Sequence, residues 1–208
     1  TPGMFRAQAL LFMRAGAAGI QLGMSEDQWR GWPWMNDLAD PAKLLYADKH
    51  YMVDPIALRP GTFELHATGD RFAGQRDLSV RLADDVTAAR LAGYDVAAEL
   101  VIYCRPLLAG ERLEVSINGN GPVSLSGDDE SERRRRGVPS VDPSQQAHDS
   151  FMFEKDWWRR GEHTVPVPAD CWRLGPNRIR LTYHTPAADV EPRFSLTWVD
   201  VLLNYRKG

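Results

Sequence analysis

The spacing of apolar residues changes its period once along the chain, at residues 46–55, and the two sides of that change demand different folds. Before it, Met4, Ala7, Leu11 and Ala15 recur at helical spacing over residues 4–15, with Phe12 widening the stripe and Arg6, Gln8 and Arg14 as its polar members. Gly16 is placed to end this helix as its C′ residue. Residues 17–24 are nearly all apolar or small, the pattern of a parallel strand covered on both faces, and Gln21 is their one polar side chain. Ser25 and Gln28 then have capping-box spacing. Asp40 as N-cap and Pro41 at the first helical position predict a further helix over 37–46. One helix and one strand cannot bury both of their faces unaided. Residues 1–53 are therefore expected to be the closing α/β unit of a larger domain.

Beyond the change the period is two. Leu78, Val80 and Leu82 alternate with Ser79 and Arg81, and Val96, Ala98, Leu100, Ile102 and Cys104 alternate with their neighbours. Leu113, Val115 and Ile117 lead into Asn118-Gly119-Asn120-Gly121, a tight-turn sequence. Ile179, Leu181 and Tyr183 form another such run, and Phe194, Leu196 and Trp198 open a long final strand. Shorter strands are expected at 62–67, 123–125, 151–153 and 164–167. Eight or nine strands joined by turns predict a mainly β fold over 54–208, an antiparallel sandwich of jelly-roll type. Residues 127–150 break the alternation with Asp128-Asp129-Glu130, then Arg133 to Arg136, then a Pro/Ser/Gln stretch, and read as a solvated, disordered-type insertion.

The balance of 25 basic and 28 acidic residues, net −3, gives no footing for a nucleic-acid partner, and the acidic run beside Arg133–Arg136 largely cancels those arginines. No apolar stretch is long enough to cross a bilayer, because Arg14 and Gln21 interrupt the single candidate region. The residues call for no cofactor: the histidines at 50, 66, 148, 163 and 184 lack ligand spacing, and no phosphate loop, dinucleotide fingerprint or nucleophile motif occurs. Cys104 and Cys171 form no metal motif. They read as free thiols, with a disulfide between sandwich strands as the alternative.

Trp29, Trp32 and Trp34 are the strongest functional signal. They follow the expected parallel strand at the edge where α/β barrels carry their sites, and flat aromatic rings stack on the C–H faces of sugars. Large aromatics also collect where domains pack together, so interface packing and sugar contact both stand. Gln21 is a candidate contact on the same rim. Glu26 and Asp27 read as capping residues, since neighbours in sequence cannot face each other across a glycosidic bond. Trp157, Trp158 and Trp172 form a second aromatic group, read as sandwich core or edge more readily than as a binding face.

Two stretches carry a family resemblance. Ala15-Gly16-Ala17-Ala18-Gly19-Ile20-Gln21-Leu22, followed by Leu38-Ala39-Asp40-Pro41-Ala42-Lys43-Leu44-Leu45-Tyr46-Ala47-Asp48-Lys49-His50-Tyr51, resembles the last unit of bacterial TIM-barrel proteins of the glycoside-hydrolase-like kind. Leu82-Ala83-Asp84-Asp85-Val86, residues 112–119 and Leu174-Gly175-Pro176-Asn177-Arg178-Ile179 are similar to the galactose-binding-like β-sandwich that commonly follows such a barrel. The resemblance implies that 1–53 close a (β/α)8 barrel and that the parent protein hydrolyses glycosidic bonds with two carboxylates on earlier barrel strands. The catalytic residues would then lie upstream of Thr1, and this chain alone would be inactive. It would supply a wall of the substrate cleft through Trp29, Trp32, Trp34 and Gln21, with carbohydrate and the missing barrel as its partners. Ala18 departs from the pattern, standing where such strands frequently carry an acidic residue. The alternative is a non-catalytic sandwich that binds carbohydrate or docks to a neighbouring domain.

Overall fold

A computed structural model of the chain describes residues 2–18, 33–53, 70–72, 74–104, 107, 110–127, 161–185 and 194–208. The strands are β1 (Lys49–Val53), β2 (Asp70–Phe72), β3 (Gln75–Leu82), β4 (Tyr94–Cys104), β5 (Arg112–Ile117), β6 (Asn120–Ser126), β7 (Gly161–Val167), β8 (Gly175–His184) and β9 (Phe194–Lys207). They form a five-stranded sheet of order β1-β9-β4-β7, in which β2 also pairs with β9, and a four-stranded sheet of order β3-β8-β5-β6. Every pairing described is antiparallel.

The period-two alternation makes this a sandwich. Ala98, Leu100, Ile102 and Cys104 of β4 join Val199, Val201 and Leu203 of β9 in one buried cluster with Leu78, Leu82, Leu113, Val115, Ile179 and Leu181 of the other sheet. Each such aliphatic side chain, fully buried, contributes on the order of 1.5–3 kcal/mol. The tight turn falls where its sequence requires it. Asn118 (φ 53°) and Gly119 (φ 87°) both take left-handed backbone, and Ile117 pairs with Asn120 across a two-residue loop. The register then shifts between Val115 and Ile117. There Gly121 (φ 112°) leaves no room for a side chain, because a Cβ would come within 3.0 Å of the Val115 carbonyl oxygen. The expected strands at 62–67 and 151–153 lie outside the described residues, as does all of the 127–150 insertion except Gly127.

The N-terminal region differs from its expected form in three ways. Helix α1 (Pro2–Arg14) ends as anticipated: Gly16 has φ 91°, with Gly16 N–H bonded to Met13 O at 3.0 Å and Ala17 N–H to Phe12 O at 3.0 Å, a Schellman closure. Ala17 and Ala18, however, are exposed and irregular rather than the start of a strand. The rest of the expected strand, 19–24, lies outside the described residues. The helix expected over 37–46 is split into a 3-10 turn (Pro33–Ala39) and α2 (Pro41–Leu45), because the Asp40 carboxylate caps only the second, accepting from Ala42 N at 3.0 Å and Lys43 N at 3.4 Å. Outside this region, between β3 and β4, the short helix α3 (Val86–Leu91), capped by Asp85, is also unanticipated by the sequence pattern.

Finally, β1 precedes residue 54, where sequence patterning starts the sandwich, yet it pairs along its length with β9, from Lys49↔Leu203 to Val53↔Val199. Helix α1 packs on β1, α2 and the 3-10 turn. Ala7 enters the main core. Ala9 and Leu10 join Leu38, Leu44 and Ala83 in a second cluster edged by Phe5, Met13, Trp34 and Leu45. The approach is closest at Gly3, where a Cβ would meet His50 Cβ at 3.1 Å and His50 N at 3.2 Å.

Candidate functional site

Of the residues singled out in the sequence, Gln21, Trp29, Trp32, Glu26, Asp27, Trp157 and Trp158 lie outside the described residues. Trp34 sits in the 3-10 turn, half-buried, its ring stacked on Phe5 with centroids 5.1 Å apart. That contact packs α1 against the turn, both within residues 1–53, and decides neither the domain-interface nor the sugar-contact reading. Trp172 is 3 % exposed and belongs to the sandwich core. Neither cysteine is in a disulfide; Cys104 is buried and Cys171 half-buried. Two histidines are paired: His50 Nε2 lies 3.0 Å from Asp200 Oδ1, and His184 Nε2 lies 3.1 Å from Glu114 Oε2. Among the described residues no group of three or more His, Cys, Asp or Glu could hold a metal ion. No described helix is long and apolar enough to cross a membrane.

The densest chemistry lies where α2, β1, β9 and the β3–α3 connection meet. Lys49, Tyr51 and Val53 share the inward face of β1, so a lysine points into the core. Its ammonium lies 2.8 Å from Asp84 Oδ1 and donates to Ala47 O at 2.9 Å and Leu45 O at 3.4 Å. It also sits over the Tyr205 ring, 4.8 Å from the centroid. Asp84 accepts from the Tyr205 hydroxyl at 2.7 Å and from the Tyr51 hydroxyl through its other oxygen. The Tyr51 oxygen in turn accepts from Ala83 N at 3.1 Å. All three ammonium hydrogens and both carboxylate oxygens are thus engaged, as a buried ion pair requires. Burial pushes the Lys49 pKa below its ordinary value, against the pull of Asp84. Burial, followed by the Asp84 charge, holds both tyrosine hydroxyls well above theirs.

A lysine, a carboxylate and two phenols could serve acid–base chemistry, but here the Lys49 and Asp84 side chains are 0 % exposed. No substrate reaches them, and the cluster clamps the N-terminal elements to the sandwich. Asp48-Lys49-His50-Tyr51 and Asp84 both fall in the stretches that carry the family resemblance, which gives them no such part. The available signal was parity: Lys49, Tyr51 and Val53 are one alternating set, and a charged residue in such a set needs a buried partner.

A second buried polar group fixes the far end of β8. Asn177 is 2 % exposed; its amide donates to Arg173 O at 2.7 Å and Gly175 O at 2.9 Å, while its oxygen accepts from Arg173 N at 3.0 Å and Asn118 Nδ2 at 2.7 Å. Asn118 also donates to Cys171 O at 2.9 Å and accepts from Arg178 N at 2.9 Å. The β5–β6 turn, the 169–174 connection and β8 are thereby tied together.

The accessible chemistry is on the outward face of the four-stranded sheet. Gln75, Asp77, Ser79 and Arg81 of β3 run beside Arg178, Arg180 and Thr182 of β8, then Arg112, Glu114 and Ser116 of β5. Asp77 takes the Arg180 Nε–H at 2.9 Å and is also bonded by the Arg178 guanidinium, and the two arginines hold its pKa below the usual carboxylate range. Arg112 lies 3.1 Å from Glu114.

No protein-family model and no curated protein matches the chain. Among solved structures it is similar to a family 35 carbohydrate-binding module from Cellvibrio japonicus Abf62, at 14% identity over 77% of this chain and 98% of that one, with a TM-score of 0.40. It is similar also to a family 35 module from an environmental isolate, at 11% identity over 76% and 97% of the two chains, TM-score 0.35. A β-porphyranase of glycoside hydrolase family 86 from the human gut bacterium Bacteroides plebeius overlaps 78% of this chain and 22% of its own, at 14% identity and TM-score 0.39. Overlap this slight carries neither ligand nor activity over to the chain.

Proposed function

We propose that the chain is a non-catalytic β-sandwich module that binds carbohydrate as an appendage of a larger carbohydrate-active protein. The observation that carries this reading is the outward face of β3-β8-β5. On it hydroxyls (Ser79, Ser116, Thr182) and an amide (Gln75) are interspersed with guanidinium and carboxylate groups, all of them exposed or half-exposed. Such a face offers donors and acceptors to a ligand rich in hydroxyls, whereas the Lys49–Asp84–Tyr51–Tyr205 cluster is sealed. Trp29, Trp32 and Gln21 are retained in the proposal as further contacts, on the strength of aromatic stacking on sugars alone.

The other reading, in which residues 1–53 close the barrel of a glycoside hydrolase and form a wall of its cleft, rests on the resemblance of 15–22 and 38–51. The packing of Ala7, Ala9 and Leu10 against this chain's own elements favours the module. Affinity electrophoresis of the chain in gels carrying neutral and acidic polysaccharides tests the proposal, alongside an assay for released reducing ends. Retardation by at least one polysaccharide with no reducing-end release is expected. Free migration in every gel, or hydrolysis, overturns it.

A further inference from the structure

The charge on the outward face of the four-stranded sheet runs against that of the chain. Arg81, Arg112, Arg178 and Arg180 face the same side as only two carboxylates, Asp77 and Glu114, while the whole chain is net −3. The surplus is presented. The Arg178, Arg180 and Arg112 side chains are 57%, 40% and 49% exposed. It is also ordered. Asp77 holds Arg178 and Arg180, two residues apart on one strand and so on the order of 7 Å apart. Arg180 is shared between Asp77 and the Gln75 side-chain amide, whereas Arg178 and Arg112, with five donors each, have one carboxylate partner apiece.

We infer that this face recognises acidic polysaccharide, a chain bearing carboxylate or sulfate groups along its length; the inference rests on the carbohydrate-binding reading and names its ligand class. The arginines follow β8 from Arg81, beside Pro176, through Arg178 and Arg180 to Arg112, beside His184. Eight residue steps of strand make this a track of roughly 27 Å, suited to a polymer that repeats its charge. Ser79, Ser116, Thr182 and Gln75 between the arginines meet the uncharged hydroxyls of such a chain. Planar guanidinium groups take carboxylate and sulfate oxygens two at a time. Single-stranded nucleic acid is the less suitable polyanion, because among the described residues this sheet face carries no Trp, Tyr or Phe on which an unstacked base could lie; duplex DNA is left to the test.

The test is affinity electrophoresis and calorimetry of the full chain on polygalacturonate, alginate, a sulfated galactan, neutral xylan and galactan, and duplex DNA. Arg178→Gln/Arg180→Gln is compared with Arg206→Gln, a substitution on the other sheet. Binding to at least one acidic glycan is expected, weakened tenfold or more in the double variant, unchanged in Arg206→Gln, and falling as salt is raised from 20 to 300 mM. Thermal melts within a few degrees of the parent show that the double variant is folded. Binding of neutral glycans alone overturns the inference and leaves the carbohydrate-binding reading standing. Acidic-glycan binding that survives the double substitution assigns the ligand to another surface and overturns it too. Equal affinity for duplex DNA overturns the choice of ligand, and no binding to any glycan removes both readings.

Discussion

Lys49 occupies an inward position of a strand, where an ammonium is tolerated only if its charge and all three donors are met. Asp84, Ala47 O and Leu45 O meet them. Removing one partner strands the other in the core, so Asp84→Asn is expected to cost about 3–5 kcal/mol in urea unfolding. Lys49→Met combined with Asp84→Leu should cost less than the sum of the single substitutions. The same cluster sets an alkaline limit. Tyr51 and Tyr205 keep their protons in the folded chain well above the ordinary value of 10.0. Their contribution is therefore whole below pH 10 and is lost as pH rises past it, by up to about 2.7 kcal/mol per pH unit for two phenols. Lys49, drawn down from 10.5 by burial, works the other way, stability rising with pH until the unfolded lysine has titrated. Above about pH 11 the phenols decide the slope. Urea midpoints should fall there, with Tyr205→Phe close to halving the fall; a flat profile would mean that neither phenol is shielded. The sequence exposed Lys49 to anyone reading parity, but not Asp84, which lies in an irregular connection with no period to mark its direction.

At the scale of elements, alternation is a local property, and the strands it marks are where it placed them: β3, β4, β5, β6, β8 and β9 all contain the runs named from sequence. Turn chemistry was equally legible at Asn118-Gly119 and at Gly16. What failed was length and continuity. Helix α3 buries only Val86 and Ala89, one turn of signal, too little for a helical period to register. Residues 37–46 read as one helix because Asp40 and Pro41 can start a helix as well as interrupt one. The role of Asn177 was hidden inside a similarity to other sandwiches, although its amide satisfies four groups from two connections. Asn177→Ala leaves those groups buried and unmet, and should lower stability by about 2–3 kcal/mol. An Asn177→Ala midpoint within error of the parent would show that the lock adds nothing.

For the whole molecule, the apolar stripe of α1 states that the helix must be covered but not by what. On the sequence alone, a missing barrel is the expected cover. In the structure β1, α2 and the 3-10 turn lie against it, Ala7 reaches the main core, and Phe12 is the large apolar side chain it leaves out, at 46% exposure. A stripe cannot distinguish neighbours within its chain from neighbours beyond it. The candidate carbohydrate contacts were less legible still, because a polar alternating residue reads simply as solvent-facing until strands from distant parts of the chain are set side by side. Native-state hydrogen exchange on the intact chain, comparing the amides of α1 with those of β9, tests most directly whether the N-terminal helix and the sandwich are one unit. Opening free energies that agree within about 1 kcal/mol are expected for a single cooperative body. An α1 that exchanges at the rate of unstructured peptide while β9 stays protected would contradict it and show that the helix is no part of the sandwich unit.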